Sequence, residues 1–440
     1  MRFRICPIIM SLVFCAATCL LANSTAVAAE PPDAAMVNQQ EDDASEGADI
    51  TSRTLSDFEA ISEANRANRS EEELSASLGV SAYSLSRNGL ILSGVEQLTV
   101  EEARTLAKYT GFLIGLPDIE SLTPEAAAAL AQWESVRGVG VLVLNGLESL
   151  GPDAARHLAT LQRVILKLDG LRDLDADTAA ELGKCSGCSS LAVNGITELE
   201  SATAEALANQ PVSPFYKLEL NGVESLDAES AAALGRFSGS KLMLNGVKSL
   251  NASSAAGLAQ FQGNELRLDG LEKLSADAAR ALSEWGGSRL GLNGLRTLDR
   301  GSAAGLALWR GQTLELSGIE RIDADVGAAL ARFESQSYQV VCMVYSGRQQ
   351  LVMNGVRTLD VNAAAALGSG DGLRLSLSGL ESLDAETARA LVEGEGNIRQ
   401  LTLMGLESID ADTAAVLAGF GWRLSVSDKI QQLIDEGTSE

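Results

Sequence analysis

The sequence predicts an α/β solenoid of about 13 stacked strand–turn–helix coils, and three periodic features predict it. A glycine column reads Gly94, Gly146, Gly170, Gly195, Gly222, Gly246, Gly270, Gly294, Gly318, Gly355, Gly379 and Gly405, with Asp118 filling one further slot and most spacings at 24 residues. Leucines stand four and two residues before the glycine, as in Leu218 and Leu220 or Leu266 and Leu268. A small residue follows nine after it and a leucine twelve after it in all thirteen units, from Ala103 and Leu106 to Ala414 and Leu417. Self-similarity at a fixed period of this length marks a fold that grows by adding coils rather than domains.

Each part of the coil has a physical reading. Leucine alternating with a variable residue has the period of a short strand buried on one face. An Asn-Gly or Asp-Gly pair then predicts a turn, on the expectation that the glycine takes a positive φ, which asparagine also tolerates. Apolar residues one and four after the glycine, such as Leu271 and Leu274, send the returning chain inward. Asp175, Asp227, Asp299, Asp323, Asp360, Asp384 and Asp410 stand where a side-chain oxygen caps a helix. In that helix the small residue and the leucine three later share one face, which lets the helix sit close to its neighbour and to the strand layer. Fifteen after the glycine an aromatic often closes the coil, expected as core: Tyr109, Trp133, Phe237, Phe261, Trp285, Trp309, Phe333 and Phe420.

The remaining segments are placed around this array. Arg2 and Arg4, the apolar run from Ile5 to Ala22 and the Ala26-Val27-Ala28 site before Ala29 have the form of a secretory signal over residues 1–28, cut between Ala28 and Ala29. An uncleaved anchor is the competing reading, since the run approaches the ~20 residues that span a bilayer. Residues 29–56 form an acidic linker too poor in apolar surface to order itself. Residues 57–89 read as a helical cap, with Phe58, Ile61 and Ala64 at helical spacing and Glu71, Glu72 and Glu73 opening a second segment. The solenoid covers 90–427, interrupted by an insertion at 335–350, and 428–440 form a closing helix and tail with Ile430 and Leu433 turned inward.

The repeated unit resembles the leucine-rich repeat, and residues 90–427 are similar to the bacterial exported members of that family with L-x-L-N-G-L repeats of about 24 residues and a short Ala-rich helix. The resemblance implies a right-handed leucine-rich-repeat-like solenoid with strands on a concave face, helices on the convex face, and a protein partner. Two features depart from the family pattern. Its opening leucine slot is often glycine, at Gly239, Gly263, Gly287 and Gly311, and its buried asparagine slot is apolar, at Leu171, Val223 and Leu295. The asparagine ladder that satisfies the loop backbone is therefore expected to be missing.

Composition and charge narrow the function. Net charge is −25, or −27 once the signal's two arginines are removed, which disfavours nucleic acid and anionic lipid as partners. No apolar stretch beyond the signal is long enough to span a membrane, so the mature chain is expected to be soluble outside the cytoplasm. The one histidine, His157, is read as a surface or half-buried residue with no catalytic partner. Acid pairs such as Asp323 and Asp325 are read as caps rather than calcium ligands. No cofactor or metal is expected.

Cys185 and Cys188 read as a structural disulfide or as two buried thiols; the remaining mature cysteine is Cys342. The binding site is expected at the variable strand positions. These are apolar or small in the early coils (Ile91, Leu113, Gly115, Val141, Val143, Ile165) and charged in the middle ones. There, Lys217, Lys241, Met243, Arg267 and Arg289 are the candidate partner-binding residues. Two readings stand side by side: a ligand surface, or one half of a cross-strand charge ladder with Glu219, Glu265 and Glu315. Tyr338 and Tyr345 are further candidates in the insertion, which reads as a protruding hairpin or a drifted repeat, and the segment with Pro211, Pro214, Phe215 and Tyr216 is a weaker one. The expected function is an exported, non-catalytic protein-binding scaffold; the alternative is a structural cell-envelope protein with no discrete ligand.

Overall fold

The computed structural model describes residues 52–81, 89–135, 138–209, 216–333, 338–340, 343–345, 349–394 and 396–437. Contacts divide the chain into Met1–Thr51 and Ser52–Glu440. The signal segment, the cleavage site at Ala28 and Ala29 and nearly all of the linker lie outside the described residues, as do Pro211, Pro214, Phe215 and Cys342.

The fold is the expected α/β solenoid. One parallel sheet contains fourteen strands: β1 (Gly89–Ile91), β2 (Leu113–Gly115), β3 (Gly140–Val143), β4 (Val164–Lys167), β5 (Cys188–Ala192), β6 (Lys217–Glu219), β7 (Lys241–Met243), β8 (Glu265–Arg267), β9 (Arg289–Gly291), β10 (Thr313–Glu315), β13 (Gln350–Val352), β14 (Arg374–Ser376), β15 (Gln400–Leu403) and β16 (Leu424–Val426). Between β10 and β13 the insertion forms its own two-stranded antiparallel sheet, β11 (Tyr338–Val340) with β12 (Met343–Tyr345). The expected count of 13 coils misses one strand: β16 pairs with β15 although it lacks the glycine turn. Helix α16 (Asp428–Gly437) follows it, burying Ile430 and Ile434 fully and Leu433 in part.

Helices α3 (Val100–Leu106) to α15 (Ala411–Ala418) follow strands in turn, each ending on the repeated leucine or within two residues of it, and that leucine and its partner small residue are buried in every coil. The aspartate caps are in place: the carboxylates of Asp175, Asp227, Asp299, Asp323, Asp360, Asp384 and Asp410 each accept from the backbone N–H three residues on. The residue at that third position often carries a buried hydroxyl that ties its coil to the preceding one. Ser230 Oγ donates to the Leu199 carbonyl at 3.0 Å, Ser254 to Leu226 at 2.8 Å and Ser302 to Leu274 at 2.6 Å.

The turn glycines are required for a reason other than the expected positive φ. In the column only Gly94, in the first coil, has one, at +82°. The others face the preceding coil so closely that a side chain has no room: a Cβ on Gly170 would stand 1.9 Å from the Asn145 carbonyl oxygen, and one on Gly270 2.0 Å from that of Asn245. The slot one after the glycine is apolar and buried at Leu171, Val223 and Leu295 as expected, and an Asn/Asp ladder runs instead one residue before the glycine. Asn194 Oδ1 accepts from the Asn221 N–H (2.8 Å), Asn221 from Asn245 (3.1 Å), Asn245 from Asp269 (3.1 Å), Asp269 from Asn293 (2.9 Å) and Asn293 from Ser317 (2.9 Å). Each acceptor satisfies a backbone donor that the strand-to-turn transition leaves unpaired.

At the helix-to-strand end the aromatic column is stacked from Phe237 to Phe333, and Tyr216 meets Phe237 edge-on. Tyr216, Phe237, Phe261, Trp285, Trp309 and Phe333 follow one another at centroid separations of 5.6–6.2 Å. Trp309 Nε1 donates to the Trp285 carbonyl at 2.9 Å. The rings occupy the space of the family's opening leucine, which explains glycine in that slot. A Cβ on Gly287 or Gly311 would lie 1.9 Å from the ring of Trp285 or Trp309. Tyr216, expected in a recognition loop, is instead buried core, and desolvation pushes its phenol far above the ordinary range.

Gly270→Ala should lower stability by about 1–3 kcal/mol through overpacking against the Asn245 carbonyl. Gly286→Ala, where nothing lies within 4 Å of the new Cβ, should change it little; denaturant midpoints compare the two. The caps predict an acid response. Backbone N–H groups of Thr178 and Ser302 hold Asp175 and Asp299 below the ordinary carboxylate range, and the Thr413 hydroxyl and N–H do so for Asp410. A depressed folded pKa gives stabilisation that is full above the free-carboxylate value of ~4 and is lost as pH falls through the lower folded value. Thermal midpoints by circular dichroism should therefore hold steady from neutrality to about pH 5 and fall below ~4, and Asp299→Asn, which caps without a charge, should lose less over that range.

Candidate functional site

Alternation along each strand gives the sheet two faces. Leu218, Leu242, Leu266, Leu290 and Leu314 point into the core, and their neighbours point to the face away from the helices. This open face has two chemically distinct stretches, one over β1–β4 and one over β6–β10.

The first stretch is covered by the chain itself. Two helices precede the sheet, α1 (Leu55–Asn68) and α2 (Glu71–Leu78). Helix α1 starts two residues earlier than expected, because Thr54 and Asp57 form a reciprocal capping box. It caps the first edge: Phe58 enters the main core, Ile91 N–H donates to Ser62 Oγ at 2.9 Å, and Asn65 and Arg66 donate to the carbonyls of Ile91 (3.1 Å) and Gly89 (2.8 Å). Helix α2 lies on the open face, where Leu74 and Leu78 form a second apolar cluster with Ile91, Leu113, Val141 and Val143. Of the early variable positions, Ile91, Leu113, Gly115, Val141 and Val143 are therefore buried beneath the protein's own helix, and Ile165 is half-buried.

The second stretch is charged and exposed. Lys217 pairs with Glu219 at 2.9 Å, and Lys241 with Glu265 at 2.9 Å. Arg267 bonds Glu265 at 3.0 Å and grips both oxygens of Glu315, two strands away, at 2.6 and 3.2 Å. Gly291 on the strand between leaves it that path, since a Cβ there would lie 2.7 Å from Arg267 Cδ. Arg289 stands 3.8 Å from Glu315. Each candidate cation has a carboxylate partner, across strands for Lys241 with Glu265 and for Arg267 and Arg289 with Glu315, and within β6 for Lys217 with Glu219.

Burial separates the members of this ladder. The Glu265 and Arg267 side chains are 12% and 17% exposed, whereas Lys241 and Arg289 are 47% and 50% exposed. Burial alone would raise the Glu265 carboxyl, but hydrogen bonds from Lys241 and Arg267 outweigh it and hold the group below its ordinary range. Arg267 is raised, desolvation being overcome by Glu265, Glu315 and Asp269. Met243 is half-buried in register between Glu219 and Arg267. Inner charges thus hold outer ones at fixed positions.

The other expected residues lie apart from this ladder. Tyr338 and Tyr345 are register partners in the β11–β12 ladder, and their side chains lie outside the described residues. Cys185 and Cys188 form a disulfide with Cα atoms 5.4 Å apart, buried where a bulge between Val164 and Ile165 shifts the β4–β5 register. His157 is half-buried on the short helix Pro152–Leu158, beside Arg156, which pairs with Asp153 and Glu181. Among the described residues no cluster of three or more His, Cys, Asp or Glu can hold a metal ion, and no helix is long and apolar enough to cross a membrane. Lys167, at a variable strand position but outside the expected site, is buried and paired with Asp169 at 3.1 Å. Its role depends on α2, which no repeat signal announces.

No family model matches this chain, and neither does any curated protein. Among solved structures it is similar to an internalin from Listeria monocytogenes, at 14% identity and TM-score 0.44 over 86% of this chain and 96% of that one. A chain of the Toll–Spatzle complex of Drosophila matches at 15% identity and TM-score 0.42, over 72% of this chain and 42% of that one. A chain of the Rad7–Elc1 complex of yeast matches at 16% identity and TM-score 0.38, over 86% and 96%. Each is a likeness of fold.

Proposed function

We propose that this chain is an exported, non-catalytic scaffold that binds a protein partner on the open face over β6–β10, with the 335–350 insertion as a second contact. The carrying observation is the pair Lys241 and Arg289, half exposed yet tied by ion pairs to the buried Glu265 and the half-buried Glu315. Charges already ordered on a rigid sheet lose little freedom on binding, which favours affinity and register. Such a mixed surface suits a partner with its own alternating charges better than a uniformly acidic one. Export is supported by the form of residues 1–28 and by the Cys185–Cys188 disulfide, a bond that persists in oxidising compartments.

Two measurements test the reading. N-terminal sequencing of the protein from its own cells should begin at Ala29; a start at Met1 would remove the cleaved-export part. Affinity capture should recover a saturable protein partner that is lost at least tenfold on Lys241→Gln with Arg289→Gln, a neutral change at exposed side chains that leaves Glu265 and Glu315 their bonds to Arg267. Arg267 is a poor choice, because it is itself largely buried and its removal would leave the half-buried Glu315 without its two-oxygen partner. Equal recovery by both chains, with loss on deleting 335–348, would move the site to the insertion, and no saturable partner would sink the proposal.

A further inference from the structure

Helix α2 sits on a surface shaped for a helix. Leu74 and Leu78, one turn apart, are 2% and 0% exposed and rest on Ile91, Leu113, Val141 and Val143 from three strands. Opposite Leu78 the strand position is Gly115, where a Cβ would stand 2.7 Å from Leu78 Cδ2. Glycine weakens a strand, and in this one it opens a leucine-sized depression. Polar groups mark the carbonyl end: Asn145 Nδ2 donates to the Ser77 carbonyl at 3.4 Å, and Lys167 lies against Gly79, the left-handed C-cap. Lys167 is paired with Asp169 there, so the end of the helix packs on an ion pair.

The attachment is slight. Eight residues do not hold a helix alone, and among the described residues α2 is held to the sheet by Leu74, Leu78 and one long hydrogen bond, with Val80 packed beside them. Its other side-chain bonds are internal, including Ser70 with Glu73 and Ser77 with the Leu74 carbonyl. Helix α1, by contrast, enters the main core and seals the edge of β1. Units held by few apolar contacts open locally before the rest of a fold.

We infer that the open face over β1–β4 is a docking groove for an amphipathic helix with leucines at i and i+4, and that α2 is its resident occupant, displaced when a partner's helix of that chemistry binds. The groove is separate from the charged stretch over β6–β10, and the inference stands independently of the function proposed for that stretch. The probe is a fluorescent peptide with the sequence of residues 69–80, added to the full chain and to a full-length Leu74→Ser, Leu78→Ser variant, which unseats α2 and leaves the groove intact. Anisotropy should show at least tenfold tighter binding to the variant, because α2 no longer competes at high effective concentration. Adding Val141→Asp should abolish it. Equal or undetectable binding to both chains, or binding indifferent to Val141→Asp, overturns the inference. Hydrogen exchange on the wild-type chain is a second readout that does not depend on the variant folding. Amides of α2 should exchange at least tenfold faster than those of α1 and the coil helices, and exchange in step with them would equally overturn it.

Discussion

The structure depends on one close approach, repeated through most of the coils: from Gly146 onward the backbone at each turn passes so near the previous turn that only glycine fits, whereas the second coil carries Asp118 in that slot. With a hypothetical Cβ 1.9–2.1 Å from a carbonyl oxygen at Gly170, Gly222, Gly270 and Gly318, the stacking distance at this corner is set by main chain rather than by side-chain size. Side chains one residue earlier then find the next coil's N–H at hydrogen-bond distance, and the Asn/Asp ladder follows. The first coil illustrates the rule by exception. Gly94 has no preceding coil to meet, nothing lies within 4 Å of its Cβ position, and there alone in the column φ is positive.

The opposite corner is spaced by rings. Where the turn corner needs absence of a side chain, the corner entering the strand is filled by aromatics whose separations stay within 5.6–6.2 Å from Tyr216, edge-on to Phe237, through the stacked rings to Phe333. Ring thickness and backbone approach thus act at two ends of the same short strand, holding consecutive strands in register while the residues of the open face vary. That separation of duties lets Lys, Glu, Met, Arg and Gly occupy equivalent positions without disturbing the leucine layer beneath.

Most of the coil was legible because its determinants are local and repeat: the strand alternation, the aspartate caps and the buried Ala–Leu pair are where the period places them. What the period could not convey was the reason for a residue. Asn-Gly has the same spelling whether the glycine serves φ or close approach, and whether or not the asparagine bonds the next coil, so neither the turn conformation nor the ladder follows from the pair alone. Tyr216 looked like loop because Pro211 and Pro214 precede it, yet it takes the end of the aromatic stack by filling space that no earlier ring fills. The open face was harder still. Ile91, Val141 and Val143 read as an exposed apolar stripe, and their cover, Leu74 and Leu78, lies in a segment with no repeat to align it. The β16 strand was missed for the same reason.

The two stretches of the open face meet the same physical problem in different ways. An apolar strand face left in water would invite association. Over β1–β3 the chain answers with a helix whose two leucines remove that surface from solvent at little structural commitment. Over β6–β10 it uses charge: each cation is matched by a carboxylate, so a chain of net charge −25 presents there a nearly neutral patterned surface rather than a basic one. Attraction by long-range field is weak for such a surface, and recognition falls to short-range matching of fixed charges, where Gly291 matters as much as Arg267. A residue with no side chain allows the guanidinium to cross a strand and bind Glu315, and Glu315 in turn steadies Arg289 at the solvent boundary.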